Sequence, residues 1–404
     1  MKKVLLSAFA CHPTEGSEPG NGWNWSSGLA KKDFEVHCLT RIVGKENIEA
    51  HNIHSNLHFH YITLPFGLER LYTMSQPTMY LYYILWQWAA YKKAKFLHKT
   101  IKFDVAHHVT WGSLQMGSFL YQLNIPFIFG PTGGGQIAPD NFKKYFGHSW
   151  TAEERRKKVT CFFLTFNNAF RKMIRKAEVV IVSNRETEDM AKSNGATKCY
   201  LTLDAALPRN FFPKQFSPKR LFAGKLKLLW IGRLLPRKGI FLILDVMKEL
   251  SYNRSITLTI VGDGPDGPAL YSKIREYELE ETVFWKGQVP YKEVKSYYED
   301  HDIFFFASLR DSCPAQLIEA MAYGLPVVTI NLHGQALIVD DERGILCNCD
   351  TPEIAIKELA NAITYLFSHP EVVTQKSMAA NSFAAQQMWP NKIDTIVNSY
   401  YPKI

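Results

Sequence analysis

Short apolar runs recur along the chain, and most of them lead into a loop and then into residues with the period of a helix. Continuous apolar runs of this kind are typical of strands that are buried on both faces of a parallel sheet. Strands are therefore predicted at Val4–Ala10, Phe34–Thr40, Leu57–Leu64, Ile125–Phe129, Glu178–Val182, Leu226–Ile231, Ile256–Val261, Val283–Trp285, Ile303–Ala307 and Pro326–Ile330. Strands that alternate with helices in this way predict an α/β fold.

A basic turn at residues 232–239 joins one predicted strand to the next predicted helix. Its Arg233 offers a planar fork of donors, its Lys238 offers a compact charge, and the start of the helix adds a partial positive charge. These features suit a diphosphate ligand. An ordinary solvated basic turn is the alternative interpretation.

Glycine-rich loops follow other predicted strands, at residues 16–22, 130–136 and 262–264. Such loops let a ligand approach the backbone closely at the carboxyl edge of a parallel sheet. The first loop lacks the Gly-x-Gly-x-x-Gly spacing, so a nicotinamide cofactor is not supported.

Two carboxylates, Asp311 and Glu319, flank a predicted helix start between the strands Ile303–Ala307 and Pro326–Ile330. The loop of such a unit opens where α/β sheets bind anionic ligands. In the alternative interpretation, Asp311 caps the helix and Glu319 is a solvated acid. The basic turn upstream favours the ligand site.

The length of 404 residues predicts two domains. Three prolines between residues 208 and 218 punctuate a polar stretch that suits a linker. We therefore expect an amino-terminal domain over residues 1–205, a linker over 206–225 and a carboxy-terminal domain over 226–388.

The net charge of +9 is uneven, because basic residues outnumber acidic ones between Asn141 and Glu178. This segment could meet an anionic membrane surface or a phosphate-bearing substrate, or it could be a solvated helix face. No nucleic-acid-binding motif accompanies it, so no nucleic-acid partner is expected. The aromatic stretch between Pro65 and His98 is too short in its uncharged part to span a bilayer comfortably, and it predicts either a buried helix or an interfacial patch.

The seven cysteines are irregularly spaced, which suggests reduced thiols in a cytoplasmic protein. Cys347 and Cys349 lack a partner pair, so metal binding there is not expected. The first residues suit a strand better than a signal peptide. A short strand between Asp104 and Trp111 carries His107 and His108, either of which could be structural or could contact a ligand.

Three blocks in this order resemble glycosyltransferase family 4, a family of retaining enzymes with the GT-B fold. The blocks are the turn 232–239, the loop Val261–Pro265 and the pattern Asp311-x7-Glu319-Ala-Met-Ala-x-Gly324-x-Pro-Val-Val328. The early Gly16–Trp23 and the late Met388-Trp389 also look like that family, so the resemblance spans nearly the whole chain.

The resemblance implies two Rossmann-like domains that face each other across a central cleft, with a final helix over residues 389–404 crossing back to the first domain. It implies transfer of a sugar from a nucleotide-sugar donor to a lipid-linked or glycan acceptor, in the synthesis of cell-surface polysaccharide or glycolipid. Such a protein would be cytoplasmic and could attach peripherally to the inner face of the membrane.

The resemblance also implies the roles of individual residues. The donor-binding residues would be Gly16, Gly232, Arg233, Lys238, Gly262, Gln288, Val289, Asp311, Ser312, Cys313, Pro314, Ala315 and Glu319. Arg233 and Lys238 would hold the diphosphate, Asp311 would contact the transferred sugar, and Glu319 would accept hydrogen bonds from the ribose. His108 would lie near the reaction centre, with His107 as the alternative, and Glu18, His107, Trp111, Gly133 and Gly134 would lie on the acceptor side.

The chain departs from the family pattern at two places. Asp311 stands where members usually have Glu, and His107-His108-Val109 stands where they often have His-x-His. The first difference shortens the reach towards the donor sugar by one methylene.

Loss of a nucleoside diphosphate builds negative charge that Arg233 and Lys238 could stabilise without a metal, so no metal and no cofactor are expected. Asp300-His-Asp302 precedes a strand and should lie at the other edge of the sheet. Two rival hypotheses remain. One is an inverting enzyme with His12 or Glu15 as general base, and the other is a sugar-nucleotide or glycan-binding protein without turnover.

Overall fold

The computed structural model describes residues 1–221 and 224–402, and its described strands form two parallel sheets. The strands are β1 (Lys3–Ala8), β2 (Glu35–Arg41), β3 (Leu57–Ile62), β4 (Val105–Thr110), β5 (Phe127–Thr132), β6 (Val179–Val182), β7 (Cys199–Leu201), β8 (Leu226–Ile231), β9 (Ile256–Val261), β10 (Val283–Trp285), β11 (Ile303–Phe306), β12 (Val327–Ile330) and β13 (Gly344–Cys347). Every predicted apolar run overlaps one of these strands, which confirms the predicted α/β fold. The short strands β7 and β13 were not predicted.

Helices connect the strands and cover the sheets. They are α1 (Ser17–Ala30), α2 (Lys45–His51), α3 (Leu71–Met74), α4 (Gln76–Ile101), α5 (Trp150–Phe166), α6 (Asn168–Lys176), α7 (Arg185–Ser193), α8 (Ile240–Glu249), α9 (Gly267–Glu276), α10 (Tyr291–Asp300), α11 (Ala315–Ala322), α12 (Gln335–Ile338), α13 (Pro352–Ser368), α14 (Pro370–Gln386) and α15 (Trp389–Tyr400).

The chain forms two compact units that differ from a simple division at the linker. Unit 1 contains residues 1–135, 158–204 and 389–404, and unit 2 contains residues 136–157 and 205–388. Residues 222 and 223 of the predicted linker and residues 403 and 404 of the predicted final helix lie outside the described residues.

Residues 136–157 follow the amino-terminal half in sequence but group with unit 2. The reason is a set of contacts made by polar side chains. The Tyr145 hydroxyl donates to Asp245 Oδ2 at 2.8 Å, and Asn141 Nδ2 donates to the Asp350 carbonyl at 2.9 Å. This segment therefore belongs to unit 2, although the sequence predicted that it belongs to the amino-terminal domain.

The sheet of unit 1 has the order β3-β2-β1-β4-β5-β6-β7, and all its described pairs are parallel. Helix α4 covers one face with Tyr82, Tyr83 and Trp86, whose side chains are fully buried. The side of α4 that faces the sheet is thus part of the core. On its other side Trp88 is 43% exposed and Phe96 is 66% exposed.

The sheet of unit 2 has the order β10-β9-β8-β11-β12-β13, again with parallel pairs. Strand order reverses between β8 and β11, which lie side by side. In open α/β sheets ligands bind beyond the carboxyl ends of strands at such a switch point. The turn after β8 and the loop after β11 hold the residues that the sequence singles out.

Candidate functional site

Two glycines bring the loops after β8 and β9 together in unit 2. Gly262 has φ +129°, and a Cβ there would lie 1.8 Å from the Gly232 carbonyl oxygen. The Gly232 amide donates to the Val261 carbonyl at 3.0 Å. Only glycine fits this backbone conformation and this close approach, so a glycine at position 262 is required for the two loops to lie side by side.

An ion pair between Lys238 and Asp311 joins the basic turn to the loop after β11, 73 residues further along the chain. Arg237 Nη1 lies 3.8 Å from the same Asp311 oxygen. Burial opposes ionisation of Asp311, but the charges of Lys238 and Arg237 hold its pKa below the ordinary value. Burial lowers the pKa of Lys238, and Asp311 partly offsets this effect. The structure thus brings together two of the predicted functional residues.

The other cations nearby differ in their surroundings. Arg233 is exposed at the start of the turn. Arg310 pairs with Glu153, with 2.7 Å between Arg310 Nε and Glu153 Oε2 and 2.8 Å between Nη2 and Oε1. Glu153 neutralises one cation of this cluster and leaves Arg233 available to a ligand. The sequence pattern gave no signal for the Arg310–Glu153 pair, because its members are far apart in sequence.

Gln335 holds the backbone at the end of β11 through side-chain hydrogen bonds. The sequence pattern did not predict this role. Gln335 is fully buried, and its Oε1 accepts hydrogen bonds from the Ser308 amide at 3.1 Å and from Thr329 Oγ1 at 2.8 Å. Its Nε2 donates to the Ser308 carbonyl at 2.8 Å. Ser308 Oγ in turn donates to the Arg237 carbonyl at 2.9 Å. This chain of bonds holds the basic turn against the end of β11.

Glu319 lies on α11 and is held by a neighbouring tyrosine. The Tyr298 hydroxyl donates to Glu319 Oε2 at 2.9 Å. Burial raises the pKa of the Glu319 carboxyl, and the bond from Tyr298 opposes that shift. A half-buried carboxylate that accepts a bond from a tyrosine is not the solvated acid of the alternative interpretation, and it retains acceptor capacity for a ligand hydroxyl.

The remaining donor-side predictions lie on loops of the same sheet. Residues 312–315 link Asp311 to α11, with Pro314 as the helix N-cap, and a Cβ at Gly334 would lie 1.9 Å from the Ser312 carbonyl oxygen. Gln288 is exposed and Val289 is half-buried beyond β10. The Gly287 carbonyl accepts from the Gly262 amide at 2.8 Å, which connects this loop to the one after β9.

In unit 1, His108 is buried at the carboxyl end of β4. Its Nδ1 lies 3.2 Å from Ser7 Oγ, its Nε2 lies 3.4 Å from the Tyr83 hydroxyl, and its ring stacks on Phe129 at 4.9 Å. Burial lowers its pKa to about 3. The imidazole is therefore neutral at physiological pH and cannot act there as a charged acid.

His107 is also engaged through both ring nitrogens within unit 1, but its partners differ from those of His108. Nδ1 lies 2.9 Å from the Tyr401 hydroxyl, and Nε2 lies 2.7 Å from the Gly130 carbonyl oxygen. Burial lowers its pKa to about 4. Both histidines are thus fully buried and hydrogen-bonded, and the choice of His108 over His107 stays a prediction.

Three loops meet at the carboxyl edge of the unit 1 sheet. The Glu18 carboxylate accepts a hydrogen bond from the Gly112 amide, next to Trp111, and burial raises the pKa of Glu18. The Gly133 amide donates to the Gly112 carbonyl at 3.3 Å. The Trp111 ring lies 4.8 Å from that of Tyr83. Glu18, Trp111 and Gly133, three of the predicted acceptor-side residues, are thus neighbours, and Gly134, with φ +126°, follows in the same loop.

Gly16 and the rival first-loop groups lie nearby in sequence, before α1. Gly16 is exposed, and nothing lies within 4 Å of a Cβ built there. His12 Nδ1 is 3.8 Å from Glu15 Oε1. This pair has the residue types of a general base and its orienting partner, although Glu15 is largely exposed.

The Asp-x-Asp sequence lies at the other edge of the unit 2 sheet. Asp302 Oδ2 accepts from the Lys227 amide at 2.8 Å, next to the amino ends of β8 and β11. This carboxylate is therefore remote from the loops that hold Arg233 and Asp311, which lie at the carboxyl ends of the same strands.

Several known proteins are similar to this chain. Residues 211–383 match the family model described as glycosyl transferases group 1. The amylovoran biosynthesis glycosyltransferase AmsD of Erwinia amylovora is 26% identical over 251 residues, which are 61% of this chain and 63% of that protein. The alignments with the first curated relatives span 38–63% of the relatives' own length.

Two solved structures resemble the chain over nearly its whole length. Sucrose-phosphate synthase from Thermosynechococcus elongatus matches with a TM-score of 0.69 and 19% identity, over 99% of this chain and 98% of that one. Anabaena HepE in complex with UDP matches with a TM-score of 0.65 and 16% identity, over 99% and 100%. The chain has the GT-B fold. Among its described helices, none is both long and apolar enough to cross a bilayer.

Proposed function

We propose that the chain is a glycosyltransferase that moves a sugar from a nucleotide-sugar donor to a glycan or lipid-linked acceptor, in the synthesis of cell-surface polysaccharide or glycolipid. The observation that carries this proposal is the buried Lys238–Asp311 pair, with Arg233 exposed beside it, at the switch point of the unit 2 sheet. The matched family model includes this segment. The similarity to AmsD, an amylovoran biosynthesis glycosyltransferase, supports a role in polysaccharide synthesis. The similarity to HepE, whose structure contains UDP, supports a uridine nucleotide donor.

The chemistry follows from the charges. An ammonium group has three N–H donors, so Lys238 can hold Asp311 and a phosphate oxygen at the same time. Arg233 can bind a phosphate through two parallel hydrogen bonds. Together they stabilise the negative charge that develops on the leaving diphosphate, and we propose that transfer proceeds without a metal or cofactor.

Asp311 and Glu319 have separate roles in the proposal. Asp311 is ionised and fixed by Lys238, so it can accept hydrogen bonds from hydroxyls of the transferred sugar. Glu319 accepts hydrogen bonds from the ribose and keeps its bond from Tyr298. In the proposal, neutral His108 acts as a hydrogen-bonding group rather than as a charged catalyst.

Release of nucleoside diphosphate from a set of nucleotide sugars tests the transferase activity. Arg233→Ala should lower turnover roughly 100- to 1000-fold, as expected for loss of one donor to a developing anion. Arg254→Ala is the matched control, because Arg254 pairs with Glu281 on the surface with 77% of its side chain exposed. Undiminished turnover in Arg233→Ala, or binding of a donor without release of diphosphate by the parent protein, would refute the proposal.

The proposed stereochemical course is retention, as in family 4, in which the leaving phosphate takes the proton of the acceptor. The His12–Glu15 pair makes inversion the specific rival, because it could act as a general base. Proton coupling constants of the product give the anomeric configuration directly. An inverted product that disappears in Glu15→Gln would replace retention with the rival mechanism and leave transfer itself intact.

The proposed location is the inner face of a membrane, and the basic–aromatic face of α4 supports it. We define this face as Leu81, Trp88, Lys92, Lys95, Phe96 and Lys99, whose side chains are exposed at helical spacing. Lys92 Nζ lies 5.6 Å from the Trp88 ring centroid. Lysines bind anionic headgroups, and exposed aromatic rings enter the interface beside them.

A nearby cavity extends the apolar surface. It measures about 270 Å³ and is lined by Ile84 and Gln87 of α4, by Phe119, and by Phe162 and Phe166 of α5, among others. Phe162 and Phe166 are 58% and 67% exposed. An exposed apolar patch with a basic border is typical of membrane or amphipathic-ligand contact, which suits a lipid-linked acceptor.

A further inference from the structure

Glutamate and histidine side chains cluster on one face of unit 1, apart from all the residues discussed so far. Strands β2 and β3 are parallel, and His37 is in register with His58. Residues two apart on a strand share a face, so Glu35 and His37 lie on the same side of β2, and His58 and His60 lie on the same side of β3. Four groups that can bind metals therefore converge on this side of the sheet.

The distances between them suit coordination of one ion. One potential ligand atom from each of Glu35, His37 and His58 lies within 4.8 Å of the others. Glu35 Oε1 and His37 Nε2 are 3.1 Å apart. Bonds of about 2.0–2.1 Å to a tetrahedral ion place neighbouring ligand atoms about 3.3 Å apart, so these two atoms already have the required spacing. His58 is exposed on the edge strand, where its ring can turn towards the same point.

His60 provides the second layer that metal-bound histidines usually have. Its Nε2 lies 2.9 Å from His37 Nδ1, the ring nitrogen that faces away from Glu35. A bond from His37 Nδ1–H to His60 would fix the tautomer in which Nε2 is free to bind metal. The Phe103 ring, 5.3 Å from that of His37, shields the pair from water.

The geometry points to a divalent metal site in which Glu35, His37 and His58 bind the ion and His60 orients His37. Two imidazoles and one carboxylate with a position left for water are a ligand set that Zn²⁺ accepts. This inference does not rest on the proposed transferase activity. Glu35 is the first residue of β2, so the cluster lies towards the amino ends of the strands, whereas ligand loops of α/β sheets lie at their carboxyl ends.

The site would attach the edge strand β3 to its only described neighbour in the sheet, β2. Edge strands lack a partner on one side, so a metal bond across this pair opposes fraying. One nearby cation works against binding. Lys3 Nζ lies 3.9 Å from Glu35 Oε2, on the side of the carboxylate that faces away from His37. Removal of that charge should therefore strengthen the site.

Zinc titration of the full chain, stripped with a chelator and kept reduced, tests the proposal against a chromophoric competitor. We expect one Zn²⁺ per chain with a rise in melting temperature, because an ion that binds only the folded state stabilises it. His37→Ala and His58→Ala should abolish this binding. His60→Ala should weaken it roughly 10- to 100-fold, as other second-layer changes do. Lys3→Gln should tighten it.

Two controls separate this site from adventitious binding. His54→Ala removes a histidine of the preceding loop and should leave the affinity unchanged. Co²⁺ should give the visible absorption of a low-coordinate ion in the parent protein but not in Glu35→Gln, a variant that keeps the shape of the side chain. Failure of the parent to bind, or equal binding by the parent and by His37→Ala and His58→Ala with normal circular dichroism, would overturn the proposal.

Discussion

Lys238 and Asp311 form an ion pair in which only 7% and 15% of the side-chain surfaces are exposed. Loss of one partner from such a buried pair leaves a charge without compensation, whereas replacement of both by apolar groups is often neutral. Stability and function should therefore respond differently to single and double substitutions at these positions.

Lys238→Met should lower the free energy of unfolding by about 3–5 kcal/mol, towards the lower end because Arg237 stays near Asp311. The double variant Lys238→Met with Asp311→Leu should recover most of that loss and yet release no nucleoside diphosphate. Urea unfolding followed by circular dichroism checks both results. Arg254→Met, which breaks an exposed pair, should cost no more than about 1 kcal/mol. A double variant less stable than Lys238→Met would contradict the interpretation.

Glu319 should make stability depend on pH in a predictable direction. Its pKa is raised from 4.5 in the folded state, so the unfolded state ionises more easily and the folded state loses stability as the pH rises from 4.5 to the folded pKa. Glu319→Gln removes this loss. The variant should unfold at higher urea concentration than the parent near pH 7, and the difference should vanish near pH 4. Glu249→Gln, at an exposed position of the same unit, is the control variant.

The same Glu319→Gln variant should bind the donor more weakly, because an amide accepts hydrogen bonds from ribose hydroxyls less strongly than a carboxylate does. Michaelis constants for the donor, measured beside the urea midpoints, report this effect. A gain in stability together with unchanged donor binding would remove Glu319 from the site.

His108 should remain neutral throughout the physiological range, because burial lowers its pKa to about 3. Nitrogen chemical shifts of labelled histidines, assigned with the His108→Asn variant, should show one imidazole without titration between pH 5 and pH 8. An ordinary histidine changes charge near pH 6.5. Titration of His108 in this range would show that the ring reaches solvent and could act as an acid.

The basic–aromatic face of α4 should bind anionic vesicles in a salt-sensitive way. Replacement of Lys92, Lys95 and Lys99 by Gln should weaken co-sedimentation by about 1 kcal/mol for each charge, and high salt should weaken the parent similarly. Replacement of Lys248, Lys286 and Lys292 by Gln is the matched control, since it removes the same charge from exposed positions of unit 2. Equal loss in both triple variants would indicate a general charge effect.

Sequence patterns predicted what depends on neighbours along the chain. The apolar runs located the strands, and a cationic turn after β8 together with Asp311 indicated where a ligand could bind. Pairings across long separations were not predictable in this way. The Lys238–Asp311 and Arg310–Glu153 pairs and the Gln335 hydrogen bonds depend on how distant segments pack. The engagement of both His107 nitrogens likewise depends on Tyr401, near the other end of the chain.

The contacts of α15 have a consequence for folding during synthesis. The core of unit 1 includes three contacts with the carboxy-terminal segment: the Trp25–Trp389 ring contact, the packing of Ile393 against Gly28, and the His107–Tyr401 hydrogen bond. The ribosome makes these partners only after it has made all of unit 2. Most of unit 1 therefore emerges from the ribosome with the apolar surface of α1 still uncovered. Its core is complete only when α15 has also been released.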